Sequence, residues 1–256
     1  MAKGTSKGAS PAQGRGTGSG TGGGRGTEAE RKARVEALRR TQKAGERRRT
    51  MLVVGAAAAL VVILIAVVAV AVVRQQRAQD PRRMGVAAAA ADCSAPTTEE
   101  ASGVSEHVGP GTPTPDTTHV DYSTVPAVFG AHYASPAYPA APFYTAEDRP
   151  AIETLVHNLE HGYTIAWYSS DLPAAQREQL EQIAESVRTL SETRGKFIAA
   201  PWDEERGLMP EGATIGLAHW GAQEGTLQLC GAVSGEAIAD FVEAHPAADS
   251  PEPNAA

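Results

Sequence analysis

The chain has 256 residues, 23 Lys and Arg against 30 Asp and Glu, a net charge of −7, and only two cysteines. An acidic total argues against a nucleic-acid partner, and two cysteines exclude a disulfide-dense scaffold. The average conceals a division. Residues 1–50 carry 13 Lys and Arg against 4 Glu, net +9, whereas the rest carries 10 against 26, net −16.

Residues 1–27 are Gly, Ser and Thr with scattered Lys and Arg. Such a segment buries too little apolar surface to offset its ordering entropy, so a disordered tail is expected. Residues 28–50 form a basic helix with only Val35 and Leu38 as large apolar residues. Beside a membrane span, this helix is expected to meet anionic lipid headgroups.

The span itself is 51–73, 23 residues without a charge. At 1.5 Å per residue it reaches roughly 35 Å, enough for a hydrocarbon core of about 30 Å. Its length and the fifty residues ahead of it are wrong for a cleaved signal peptide. Loops rich in Lys and Arg stay inside the cell. The chain therefore reads as a single-pass plasma-membrane protein, N-terminus cytoplasmic and C-terminal domain extracytoplasmic.

Residues 74–118 pass from an Ala run into a Pro/Thr/Ser/Gly stretch without periodicity and read as a tether. Cys93 and Cys230 both fall on the outer side. An even count in an oxidising compartment suggests one disulfide, with two buried thiols as the alternative.

Residues 119–246 are expected to form one α/β (α+β) domain, and 247–256 a disordered tail. In residues 150–160, Ile152, Leu155, Val156 and Leu159 fall on one helical face, and Gly162 supplies the stop. Residues 163–168 alternate as a strand. Asp171 and Pro173 open a second helix with Leu180, Ile183, Ala184, Val187 and Leu190 on its apolar face. Residues 196–200, 213–220 and 226–230 read as strands, and Ser234 caps a last helix. The pattern predicts a small sheet covered by helices, with a thioredoxin-like rhythm near its end but no C-x-x-C for redox chemistry. The Pro/aromatic run from Tyr133 to Tyr144 reads as a lid over the sheet or as the lining of a groove.

His157, Asn158, Leu159, Glu160 and His161 spell H-x-x-E-H, in which inverted zinc peptidases use two His as ligands and the Glu as base. On a helical wheel His157 and His161 lie opposite the apolar face, pointing together into a cleft if another segment covers them. The competing reading is a His–Gly helix end, with His favoured by the dipole. The peptidase motif also needs its helix to continue, whereas here a strand follows at once. Glu160 is the candidate catalytic base, and Glu153 a second carboxylate on the same helix.

His119-Val120, Tyr122, Pro126, Gly130-x-His132, the run LVHNLEHG (155–162) and AHWG (218–221) resemble an uncharacterised bacterial family, the domain of unknown function 3105 family. The resemblance covers roughly 119–245 and implies a domain without an established activity. The family's recurrent histidines map onto His119, His132, His157 and His161. The family's Pro-Pro-x-x-Gly-x-His stretch is loosened here to VPAVFGAH, and His219 stands where a small or hydroxylated residue is more usual. Four imidazoles from separate segments match what zinc or copper requires. The expectation is an outer domain that binds a metal ion through these histidines, or binds an envelope partner. The alternatives are a metal-free scaffold and a metal-dependent hydrolase.

Overall fold

The computed structural model describes residues 27–255. The tail expected over 1–27 lies, apart from Thr27, outside them. The chain divides into two compact units at Val68. The basic and apolar stretches form one continuous helix, α1 (Glu28–Ala78). Among the described residues it is the one helix long and apolar enough to cross a membrane. Leu52, Val62, Ile63, Ile65 and Val68 all stand uncovered by protein. An apolar surface on every side of a helix calls for an apolar surrounding.

The second unit is built on a five-stranded sheet in the order β1-β7-β6-β4-β5. Its strands are β1 (Thr97–Glu100), β4 (Thr164–Tyr168), β5 (Phe197–Pro201), β6 (Ile215–Trp220) and β7 (Glu224–Cys230). β4 and β5 run parallel, joined by helix α3 (Ala174–Val187), and the β6–β7 hairpin lies antiparallel to β4. Helix α4 (Gly235–Ala244) follows, and the Ser234 hydroxyl accepts its Ala237 N–H as the expected cap. The mixed α/β class read from the sequence is therefore present, with the late rhythm built as a βαβ unit, a hairpin and a helix.

Alternation in β4 sorts the two cores. Ala166 and Tyr168 face α3 and α4, where Leu180, Ile183, Val187, Ile238 and Phe241 pack. Tyr163, Ile165 and Trp167 face helix α2 (Ile152–Glu160) and the Pro-rich lid, which contributes Ala127, Val128, Ala140 and Tyr144. The indole of Trp167 donates to Ala127 O at 2.9 Å, fastening lid to sheet.

Two segments depart from expectation. The tether of 74–118 is folded onto the domain from Asp80 onward. Pro81, Ala91 and Ala101 are buried, and β1 adds to the open edge of β7. All four β1 side chains are exposed. The strand is held by backbone pairing and by single hydrogen bonds of Thr97 and Glu99, which leaves no apolar pattern to read. Farther on, β2 (His107–Val108) pairs in parallel with β3 (His132–Tyr133). The two cysteines are bonded as Cys93–Cys230, their sulfurs 2.11 Å apart.

The tail expected over 247–256 is likewise docked, as far as Ala255. Glu252 N donates to Glu160 O at 3.1 Å, and the Lys196 ammonium donates to the carbonyls of His161, Pro253 and Ala255. Main-chain carbonyls gathered by one half-buried lysine need no apolar periodicity. Gly162, at φ +93°, makes the crossing feasible: a Cβ there would lie 2.5 Å from Ala247 O.

Candidate metal centre

Helix α2 is buried on nearly all sides, so each of its polar side chains must find a partner. Glu153 has one: its carboxylate takes the Arg206 guanidinium at 2.8 Å and the Val120 N–H at 3.0 Å. It is thus a structural anchor, not a spare base. Asn158 exchanges two hydrogen bonds with the backbone of Ala137. His157 Nδ1 lies 2.6 Å from Tyr133 O. Glu160 is the exception. Its side chain is 1% exposed, and neither carboxylate oxygen has a hydrogen-bond partner.

Around Glu160 stand three imidazoles. Its Oε2 lies 3.0 Å from His132 Nε2, 3.9 Å from His157 Nε2 and 4.0 Å from His107 Nε2. One ligand atom from each of these four residues falls within 4.8 Å of all the others. The β2–β3 pair delivers His107 and His132 side by side, and β3 packs against α2, which delivers His157 and Glu160. His132 is fully buried against Trp220, whereas His107 faces solvent and stacks on His157 with ring centroids 5.1 Å apart.

The ring orientations fix the chemistry. His132 Nδ1 sits 2.8 Å from Gly130 O, as His157 Nδ1 does at 2.6 Å from Tyr133 O. A carbonyl only accepts, so both Nδ1 atoms carry a proton, and in that neutral tautomer the Nε2 lone pairs face the Glu160 carboxylate. Lone pairs and an anionic oxygen facing one another at 3.0 Å repel unless a cation, a metal ion or a proton, sits among them. His132 Nε2 has no aligned hydrogen-bond partner. Tetrahedral ligands of an ion bound at 2.0–2.1 Å are separated by about 3.3 Å, within the observed range and toward its lower end.

Electrostatics favour the ligand forms. Burial lowers the His157 pKa to about 4, aided by the neighbouring His132 and His161 and opposed by the Tyr133 carbonyl and Glu160. The ring is therefore neutral at physiological pH. Burial acts to raise the Glu160 pKa, but a donated hydrogen bond and positive charge from the surrounding imidazoles when protonated, His132 first, lower it below the usual carboxylate range, so this carboxylate favours a cation among the rings.

Of the four histidines named from the sequence, His132 and His157 lie in this cluster. His161, at the C-terminal end of α2, has its Nε2 3.0 Å from His157 Nε2 and 3.4 Å from Glu252 Oε2. His119 is outside it, paired on the surface with Asp121 at 3.1 Å, because the backbone at Val120 is tied to Glu153 and Arg206 instead. His107 takes the position that the resemblance had given to His119. Helix α2 ends at Glu160, so the H-x-x-E-H residues straddle a helix end, and Glu160 lies among the ligand atoms where the peptidase motif would use it as a base. His219 is elsewhere, buried beside Thr164 at 3.2 Å, with its pKa lowered to about 3 by burial and by His245.

The fold and site together define a mixed α/β domain with a three-histidine, one-glutamate cluster, buried except at His107. The chain belongs to the family described as protein of unknown function (DUF3105), whose model matches residues 114–256. No curated protein and no solved structure matches it. The matched stretch contains His132, His157, Glu160, His161 and Glu252, while His107 lies ahead of it.

Proposed function

We propose that this chain is a single-pass membrane protein, N-terminus in the cytoplasm, whose outer domain binds a divalent transition-metal ion through His107, His132, His157 and Glu160. The metal reading is carried by one observation: three Nε2 atoms and a carboxylate converge within 4.8 Å, with two of the rings locked at Nδ1 by backbone carbonyls. That outer hydrogen bonding is how proteins orient histidine ligands and raise their basicity. A set of three nitrogens and one oxygen without sulfur suits zinc or copper(II).

Full-length protein in detergent, stripped with chelator, is expected to take up zinc at pH 7. His132→Ala and His157→Ala should each lose that uptake. Wild-type protein that retains no zinc or copper would leave the domain as a metal-free envelope scaffold.

The membrane reading is supported by the 23-residue uncharged run in α1 and the +9/−16 charge division around it. The basic turns of α1 engage anionic headgroups, each Lys or Arg near the surface contributing about 1 kcal/mol. Protease added to intact spheroplasts should digest the C-terminal domain and spare the N-terminal tail. Digestion of the tail alone would reverse the orientation.

A further inference from the structure

We propose that the outer domain holds a second divalent ion between Glu160, His161 and Glu252, with the Glu160 carboxylate bridging it to the first. This rests on the metal site proposed above and adds a neighbour to it.

The first ion leaves Glu160 only half used. Oε2 is the oxygen that faces His107, His132 and His157, yet Oε1 is equally buried and equally without a hydrogen-bond partner. A buried carboxylate oxygen left bare is costly, and a bridging carboxylate removes that cost by giving each oxygen its own cation. The ligands for such a cation are already in place. One atom each from Glu160, His161 and Glu252 lies within 4.8 Å of the other two, and His161 Nε2 is 3.4 Å from Glu252 Oε2.

The spacing of the two histidines is compatible. His157 Nε2 and His161 Nε2 are 3.0 Å apart as a hydrogen bond, whose shared proton the two ions would displace. Paired ions in two-metal sites stand about 3.5–4 Å apart, so adjacent ligand nitrogens, one on each ion, can approach this closely. Chain geometry keeps Glu252 in reach. The C-terminal segment crosses the end of α2 over Gly162, and Glu252 N is bonded to the carbonyl of Glu160 itself. Glu252 is about half exposed, so the second position opens to solvent, as the first does only on its His107 side. With three protein ligands against four, the second ion should bind more weakly and complete its coordination with water.

Full-length protein in detergent micelles, stripped and titrated with zinc, is expected to bind two equivalents in a tight and a weaker phase. Glu252→Gln should remove the weaker phase and leave the tight one at its original affinity. A wild-type titration that saturates at one equivalent overturns the second site and leaves the first standing. Two equivalents retained by Glu252→Gln also overturns it. Absence of any zinc uptake by the wild type removes both sites together.

Discussion

Reducing the Cys93–Cys230 bond is expected to cost up to about 5 kcal/mol of unfolding free energy, the chain-entropy value for closing a loop of well over 100 residues. The two cysteines are 137 positions apart. The bond fastens the start of the β1 segment to the last residue of β7, beside Ala91 O, which accepts the N–H groups of Gly231 and Ala232. Without it the segment leading to His107 is held mainly by edge pairing and a few buried residues. For a domain of this size the loss corresponds to a melting temperature lower by roughly 10–20 °C. Thermal melts of the full chain with and without reductant, with Cys93→Ala/Cys230→Ala as the control, measure it. Oxidised and reduced protein melting together would refute the expectation.

Arg206→Ala is expected to destabilise the domain by about 3–5 kcal/mol, because it strands a buried carboxylate. Glu153 is fully buried, and Arg206 reaches it through two nitrogens, at 2.8 and 3.2 Å. The same guanidinium donates to Val120 O. This one pair therefore joins α2, the backbone at Val120 and the loop after β5. Arg206→Met with Glu153→Gln should cost less than Arg206→Ala alone, since no bare charge remains. Denaturant titration decides the matter. A single-variant loss below about 1 kcal/mol, the scale of a surface ion pair, would show that the pair is not buried in solution.

The periodic part of this fold was open to reading from the sequence. Tyr163, Ile165 and Trp167 alternate with Thr164, Ala166 and Tyr168, and each apolar set reaches its own core. Ser234 caps α4 because a hydroxyl before an apolar helical stripe has few other uses. The paired orientation of His157 and His161 followed from 100° per residue; the β2–β3 pair covers His157, and the C-terminal segment meets His161.

What stayed hidden has a common cause. β1, β2 and the C-terminal segment are held by main-chain hydrogen bonds and isolated side chains, and neither leaves a period in the sequence. His107 sits in such a stretch, so its residue type was its only signal. Glu252, in a Pro/Glu run, looked like solvated surface. Arg206 and Glu153 are far apart in sequence and carry no mutual mark. His119 was named by resemblance, and its surface pairing with Asp121 depends on contacts made by its neighbours.

The two-residue parallel pairing of His107–Val108 with His132–Tyr133 has a consequence for the order of folding. Parallel pairing needs a long connection, and here it joins positions about 25 residues apart before any compensating ladder can grow. So short a ladder cannot act as a nucleus. The cluster should assemble late, after the central sheet has closed and α2 has docked. On the proposed metal reading, an ion arriving then would meet a nearly finished protein and act as a latch on it. At a free concentration 100 times its dissociation constant, such an ion deepens the native basin by about 2.7 kcal/mol. That gain falls on the least cooperative corner of the domain, where local opening would otherwise begin.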